Sequence, residues 1–232
     1  MIHTIIQSIK SAFTRQNKRF MLPACAAALG VVAGVAQPAA HAQVIYSANF
    51  DDGTAPGFAN ARFTSASGGV LKVLGTYGNE TTTLTLTGLV PGTYYRVATD
   101  FLAIYTWDGT SGPGPDLWAF SVRGGESFEA SFANNGGQVQ SYPLPYNQGT
   151  FPSTTGAVTA NITYNWPGCG GLFTSTYRIP LVFRATATTH QIDFAARNLE
   201  SICNESWAID NVQVDQLTLS STSIDNCANA LD

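Results

Sequence analysis

The chain has 232 residues, a formal net charge of −4 and 44% hydrophobic residues, which suffices for one sandwich-type domain or two small ones. Its eleven lysines and arginines argue against a nucleic-acid partner, because nucleic-acid binding requires basic surface. Beyond the first forty-odd residues, no stretch is long and apolar enough to cross a membrane.

Residues 1–42 are predicted to be a secretory signal peptide. Four basic residues and no acid precede an apolar run over 20–36, and Ala40-His41-Ala42 places small residues where signal peptidase cuts. Cleavage before Gln43 leaves seven basic and fifteen acidic residues, a net charge of −8. We therefore expect a secreted protein, found outside the cell, in the periplasm or at the cell surface.

The remaining chain predicts about ten short strands and no useful helical periodicity. Apolar residues alternate with polar ones, and Gly, Pro and Asn mark the turns. The predicted strands cover 44–50, 70–74, 82–86, 93–105, 117–123, 127–132, 157–164, 177–185, 191–195 and 205–214. This pattern predicts an all-β, two-sheet jelly-roll β-sandwich over residues 43–219, followed by a polar tail over 220–232.

The last predicted strand changes phase in its middle. Trp207 and Ile209 share one face, whereas Val212 and Val214 lie one step out of register with them. One extra residue at Asp210-Asn211 would bring all four onto one buried face, so we predict a β-bulge there. The buried acid and amide then need a partner, which is either a cation or backbone N–H groups.

Three motifs resemble those of a known group of modules. They are Phe50-Asp51-Asp52-Gly53 at the end of the first strand, Trp107-Asp108-Gly109, and Trp207-Ala208-Ile209-Asp210-Asn211-Val212 in the last strand. The chain resembles secreted bacterial jelly-roll modules, namely the carbohydrate-binding modules and the related MAM and laminin-G-like domains. This resemblance implies neighbouring first and last strands and a structural calcium near their ends, with Asp51 or Asp52 and Asp210 as ligands.

Each candidate cation site has a simpler alternative. Asp51 and Asp52 could form an ordinary turn while Asp210 accepts backbone hydrogen bonds. A second group comprises Trp107, Asp108 and Asp116, which would bind a second cation or a sugar. Alternatively, these aspartates close their own loop, and Trp107 packs over the end of the sandwich.

Aromatic residues in loops are the candidates for sugar binding. Sugar C–H faces stack on exposed rings, and binding residues usually lie on loops of a rigid scaffold. The candidates are Tyr142, Tyr146 and Phe151 in the long 134–156 loop, Tyr164 and Trp166 beside a glycine-containing turn, and Trp107. The alternative is that these rings plug the ends of the sandwich.

Three cysteines remain after signal-peptide removal, and an oxidising compartment should pair two of them. We predict a Cys169–Cys203 disulfide, with Cys203–Cys227 as the alternative. The remaining Cys227 would then be a free thiol or the link in a disulfide-linked dimer.

The sequence favours binding over catalysis. His190 is the only histidine after residue 42, and a glycosidase would need two suitably spaced carboxylates. We therefore predict a non-catalytic module that binds carbohydrate or another surface polymer. A structural or adhesive protein with a protein partner is the second hypothesis, and a glycan-active enzyme is the third.

Overall fold

The computed structural model describes residues 42–69, 71–111 and 114–218. The predicted signal peptide, the predicted polar tail and Cys227 lie outside this part of the chain. Every regular element within it is a β-strand, and none of these residues forms a helix that could span a membrane. The strands are β1 (Gln43–Ala48), β2 (Phe58–Ala59), β3 (Phe63–Ser65), β4 (Lys72–Tyr77), β5 (Thr81–Thr87), β6 (Tyr94–Tyr105), β7 (Leu117–Val122), β8 (Ser127–Ser131), β9 (Val139–Gln140), β10 (Phe151–Pro152), β11 (Thr159–Trp166), β12 (Gly170–Arg184), β13 (Thr189–Arg197) and β14 (Glu205–Leu217).

The larger sheet has seven antiparallel strands built around β14. One edge of β14 pairs with β6 along most of its length. Its other edge pairs first with β4 and then with β1, which takes over after the bulge. The rest of the sheet continues from β6 to β12 and β11, and from β4 to β3.

The smaller sheet has five antiparallel strands in the order β2-β5-β13-β7-β8. Its β7–β8 hairpin places Phe120 opposite Phe128 and turns at Gly124, whose φ is 76°. The predicted hairpin is therefore confirmed. A separate two-stranded ladder joins β9 to β10 within the long loop.

The core lies between the inner faces of these two sheets. Trp118 and Phe194 of the smaller sheet pack with Phe101 and Trp207 of the larger one, all at 0% exposure. Burial of such large rings dominates the stability of a sandwich, at ~25 cal/mol per Å² of apolar surface. The all-β class and the two-sheet sandwich are confirmed.

The sequence-based prediction missed four short strands and truncated one long one. Strands β2, β3, β9 and β10 have only two or three residues each, too short for alternation to be visible. Strand β12 begins at Gly170, although its glycines predicted a loop. The β11 partner supplies the backbone hydrogen bonds that keep this segment extended.

Candidate functional site

The predicted bulge in β14 is confirmed. The register of β14 against β6 shifts between Asp210 and Gln213. Asn211 has a φ of 48°, a left-handed conformation that asparagine tolerates better than most residues. The shift brings both halves of the strand into phase, and the four inward side chains are all 0% exposed: Trp207, Ile209, Val212 and Val214.

Asp210 lies on the outer face of the bulge and is 8% exposed. Its Oδ1 accepts a 2.7 Å hydrogen bond from the backbone N–H of Asn211. Burial is the main cause that raises the pKa of Asp210 to about 6, and the nearby carboxylates of Asp100 and Asp51 add to it. The site is thus electronegative around a buried carboxyl group.

Arg178 of β12 brings a positive charge next to the bulge. Arg178 Nη1 donates to the backbone carbonyl of Asn211 at 2.7 Å and to Asp100 Oδ1 at 3.2 Å. Asn211 Nδ2 also donates to Asp100 Oδ2 at 2.8 Å. Alternation does not predict Asp100 and Arg178 as parts of this site, because it indicates only that their side chains face away from the core.

The turn after β1 presents the other two predicted metal ligands. Asp51 Oδ2 accepts from Asn49 Nδ2 at 2.8 Å, and Asp52 Oδ1 accepts from both the N–H and the hydroxyl of Thr54 at 2.8 Å. The Thr54 hydrogen bonds lower the pKa of Asp52. A pocket of about 580 Å³, here called the first-turn pocket, lies beside this turn and is lined by Ser47, Ala48, Asn49, Phe50, Asp52, Thr54, Pro56 and Asn211.

These acids do not form a complete all-carboxylate metal centre. Across residues 42–69, 71–111 and 114–218, no three His, Cys, Asp or Glu side chains come together in an arrangement that could hold a metal ion. Asp51 and Asp210 are near enough for their charges to interact, whereas Asp52 is turned towards Thr54. Calcium accepts main-chain carbonyls alongside carboxylates, so two acids are compatible with a site completed by backbone oxygens.

The second predicted group closes its own loop. Asp116 is 2% exposed, and its Oδ2 accepts hydrogen bonds from the backbone N–H groups of Asp108 and Gly109. Asp108 Oδ1 accepts from the side-chain amide of Asn135 at 2.9 Å. These contacts match the alternative stated for this loop, in which the aspartates hold the backbone together.

Asp116 also faces a second buried carboxyl group, Glu205, which is 1% exposed. Burial raises the pKa of both, that of Asp116 to about 8, and the two side chains share a hydrogen bond. Glu205 Oε2 also accepts from the backbone N–H of Glu200 at 2.8 Å. The pair therefore holds a proton at neutral pH, as closely spaced buried carboxyls do. Glu205 was not predicted as part of this group, although an acid directly before a buried strand segment is a signal present in the sequence.

Three of the six predicted sugar-binding rings are not available as platforms. Trp107 is 0% exposed and donates Nε1–H to the Ser206 carbonyl at 2.9 Å. Trp166 is 2% exposed and donates Nε1–H to Thr174 Oγ1 at 3.1 Å. Tyr142 is half-buried and stacks on Phe132 with ring centroids 5.0 Å apart. The expectation that these rings face solvent is wrong, because packing in the sandwich uses them.

Phe151, Tyr164 and Tyr146 are half-buried, and of these three Tyr146 lines a pocket. This pocket has a volume of about 440 Å³ and is also lined by Thr110, Asn147, Gly149 and Thr150; we call it the Tyr146 pocket. Thr110 comes from the loop closed by Asp116, and its N–H and hydroxyl both donate to the Val139 carbonyl. The structure thus joins the 107–116 loop to the long loop at one surface pocket.

The predicted disulfide between Cys169 and Cys203 is confirmed, and the alternative Cys203–Cys227 pairing is wrong. Their Cα atoms are 5.0 Å apart, within the usual range for a disulfide. The bond ties the β11–β12 turn to the segment before β14.

Comparisons with known proteins give structural matches only. No family model matches the chain, and no curated protein sequence matches it. A carbohydrate-binding module of Cellvibrio mixtus lichenase 5A, solved with cellotriose, matches at 13% identity and a TM-score of 0.32, covering 76% of this chain and 100% of that one. The C-terminal carbohydrate-binding module of a Zobellia galactanivorans laminarinase matches at 11% identity and a TM-score of 0.31, covering 73% and 98%.

A Bacillus thuringiensis larvicidal toxin, Cry4Aa, matches at 8% identity and a TM-score of 0.33, covering 72% of this chain and 22% of the toxin. Two of these three matches are carbohydrate-binding modules, and none of the three is a MAM or laminin-G-like domain. With TM-scores of 0.31 to 0.33, the matches carry no inference about the ligand of this chain.

Proposed function

We propose that this protein is a secreted, non-catalytic module that binds carbohydrate or another hydroxylated surface polymer. The Tyr146 pocket is the observation that supports this function. It combines an aromatic ring with hydroxyl and amide groups, and all five lining residues are uncharged. Pockets with a ring and a few polar groups suit ligands that have both apolar faces and hydroxyls.

The placement of the acids supports binding without catalysis. Asp116, Glu205 and Asp210 have raised pKa values, as catalytic acids often do. Each is nevertheless buried, and in the described part of the chain they lie outside the linings of both the Tyr146 pocket and the first-turn pocket. A general acid must reach the bond that it protonates.

The disulfide supports a location outside the reducing cytoplasm, because structural disulfides persist mainly in oxidising compartments. This agrees with a cleavable signal peptide over residues 1–42.

We further propose a structural calcium near the bulge. Asp51 and Asp210 would hold it together with main-chain carbonyls, and Asp52 would contribute electrostatically. A cation would stabilise the ionised carboxylate of Asp210, which burial and the neighbouring acids Asp100 and Asp51 destabilise. The ion would supply positive charge that ties the end of β1 to β14.

A depletion assay tests the binding function. Residues 43–232 are incubated with insoluble polysaccharides, and the protein left in solution is measured. Tyr146→Ala should weaken retention about tenfold or more, whereas the control Tyr94→Ala, which removes an exposed tyrosine on β6, should not. Absence of retention on every polysaccharide by the folded protein would overturn the proposal.

Thermal melts test the cation. Added calcium should raise the Tm of the wild type relative to chelator, and Asp210→Asn should abolish this difference. Glu126→Gln, a change at an exposed acid, should retain it. Coincident melts of the wild type with calcium and with chelator would rule out the cation site.

A further inference from the structure

Charge is distributed very unevenly along this chain. Residues 130–177 contain no Asp, Glu, Lys, Arg or His, and the nearest charged residues are Glu129 and Arg178. The mature chain outside this segment carries all seven basic and all fifteen acidic residues. A charge-free run of this length is unusual in a secreted acidic protein, where charge normally keeps the surface solvated.

The fold brings the two parts of this segment into contact, because Tyr177 of β12 packs against the Tyr142 ring and donates its hydroxyl to Gln140 Oε1 at 3.3 Å. Its first part runs along β8, the edge strand of the smaller sheet. Tyr142 N–H donates to the Ser131 carbonyl, and Tyr146 N–H to the Glu129 carbonyl. Its second part forms β11, the edge strand of the larger sheet, and the first half of β12. We call the exposed surface of residues 130–177 the neutral face.

The neutral face displays apolar and amide groups. Leu144, Val158, Ile162 and Phe173 are 39–67% exposed, and Asn147, Gln148, Thr150 and Thr163 of the same segment are exposed as well. The Tyr146 pocket, four of whose five lining residues belong to this segment, lies on it. Exposed apolar groups without charge are easy to cover, because no charged group must lose its water.

We infer that the neutral face is the ligand-binding surface and that its ligand is an uncharged polysaccharide, an inference that rests on the proposed binding function. An anionic polymer would find no cation on this face, and the net charge of −8 on the rest of the mature chain would repel it. A neutral polymer loses no ion hydration on binding and offers hydroxyls to the amides and threonines, and C–H faces to Tyr146.

Features of β11 disfavour a second copy of the chain as the occupant. The strand carries a bulge between Thr159 and Ile162, where Asn161 has a φ of 53°. Near its other end, the Asn165 carbonyl already accepts from the Ser67 N–H. Bulged and partly covered edges resist pairing with another strand. The face is therefore suited to side-chain contacts with a polymer.

The test places one charge on the neutral face. Thr150→Glu adds a carboxylate at the exposed rim of the Tyr146 pocket, and Thr81→Glu adds one at an exposed position on β5. Retention is measured on neutral glucans, mannans and xylans and on an anionic pectate, with circular dichroism to verify folding and size-exclusion chromatography to follow self-association. We expect retention on a neutral polysaccharide, a tenfold or greater loss with Thr150→Glu, and wild-type retention with Thr81→Glu.

Other outcomes separate the inference from the proposed function. Neutral-polymer retention that survives both Thr150→Glu and Tyr146→Ala would overturn the neutral face while leaving the function in place. Retention on pectate alone would overturn the ligand class. A dimer that dissociates with Thr150→Glu would assign the face to self-association. Absence of retention on every polymer would remove the function and the inference together.

Discussion

Asp116 and Glu205 show how burial changes the chemistry of a carboxyl group. Both side chains are almost fully buried, and neither has a cationic partner among the described residues. Retaining a proton is then less costly than ionising both groups. The protonated pair joins the 107–116 loop to the start of β14. Two acids thus stabilise a loop that supplies Thr110 to the Tyr146 pocket.

Because the folded protein holds a proton on this pair, we expect its free energy of unfolding to fall as the pH rises. The folded pKa of Asp116 is raised to about 8, far above ~3.9 for an unfolded aspartate. The contribution is complete below about pH 4 and is lost as the pH rises through the folded value. We expect the free energy of unfolding to drop by at least ~1.4 kcal/mol, the equivalent of one pKa unit, between about pH 5 and 9.

Urea titrations of the wild type, Asp116→Asn and Asp193→Asn at several pH values measure the slope of the unfolding free energy against pH. Asp116→Asn should reduce the slope, because the Asp116 carboxyl no longer titrates and only the raised pKa of Glu205 remains. Asp193→Asn should keep it, since the hydrogen bonds from Arg123 and Thr83 outweigh burial and lower the pKa of Asp193. A wild-type slope in the Asp116 variant would contradict this account of the pair.

Gly109, in the loop that Asp116 closes, cannot be replaced by a larger residue without strain. Its φ is 72°, and an added Cβ would lie 2.1 Å from the Val139 carbonyl oxygen. We expect Gly109→Ala to cost several kcal/mol in urea unfolding and to weaken polysaccharide retention through the Tyr146 pocket. Gly136→Ala, where an added Cβ meets nothing within 4 Å, should change unfolding by less than ~1 kcal/mol.

At the scale of elements, the bulge in β14 lies where one edge of this strand changes its pairing partner from β4 to β1. Strand β4 pairs with it before Asp210 and β1 after Asn211. The extra residue resets the alternation, so that all inward side chains remain in one core. One residue in a left-handed conformation therefore determines the register of the central strand.

Two substitutions of Asn211 should separate the effect of its left-handed backbone conformation from the effect of its hydrogen bond to Asp100. Asn211→Gly loses the hydrogen bond to Asp100 but accepts the φ of 48°, so we expect a loss of about 1 kcal/mol or less. Asn211→Val loses the same bond and is strained by its branched Cβ, so its loss should exceed that of the glycine variant by ~1 kcal/mol or more. Equal losses in urea unfolding would show that the left-handed conformation does not matter.

The disulfide should stabilise the hairpin end of the larger sheet. Cys169 and Cys203 close a loop with a sequence separation of 34, for which chain entropy predicts a contribution of ~2–4 kcal/mol. Cys169→Ser with Cys203→Ser should lower stability by that amount in chemical denaturation. Reductant should lower the Tm of the wild type and leave that of the double variant unchanged.

Alternation predicted the long strands, and the phase break in β14 predicted the bulge, because both are local properties of the sequence. The partners of the acids were not predictable in this way. Asp100 meets Arg178 across β6 and β12, and Asp116 meets Glu205 across a loop and β14. Such pairs depend on strand order, which periodicity does not encode. For the same reason, Trp107 and Trp166 were expected at the surface although both lie buried.

At the scale of the molecule, the ion-paired residues lie outside the uncharged segment 130–177 that forms the neutral face. The ion pairs Arg123–Asp193 and Arg197–Glu129 belong to the smaller sheet, and Arg96–Asp215 and Arg178–Asp100 to the larger one. The neutral face contributes to none of these pairs. The described ion pairs therefore lie outside the surface that we propose for ligand binding.

This separation predicts that salt has little effect on binding. Retention on the neutral polysaccharide should stay within about twofold between ~0.05 and ~1 M NaCl, because the contacts involve no ion pairs that salt would screen. Depletion assays across that range measure it. A steep decline with salt would show that charged residues outside the neutral face carry the affinity.

The position of β14 also has a consequence for how the chain folds. It is the last described strand, yet it lies between β6 on one side and β4 and β1 on the other. The hydrogen bond from Thr99 to Asp210 spans 111 positions, and contacts this distant form late and slowly. The larger sheet cannot assemble until almost the whole sandwich has been synthesised. If the chain is exported as we propose, this strand order would delay folding until β14 has crossed the membrane, and β14 would then complete the larger sheet on the far side.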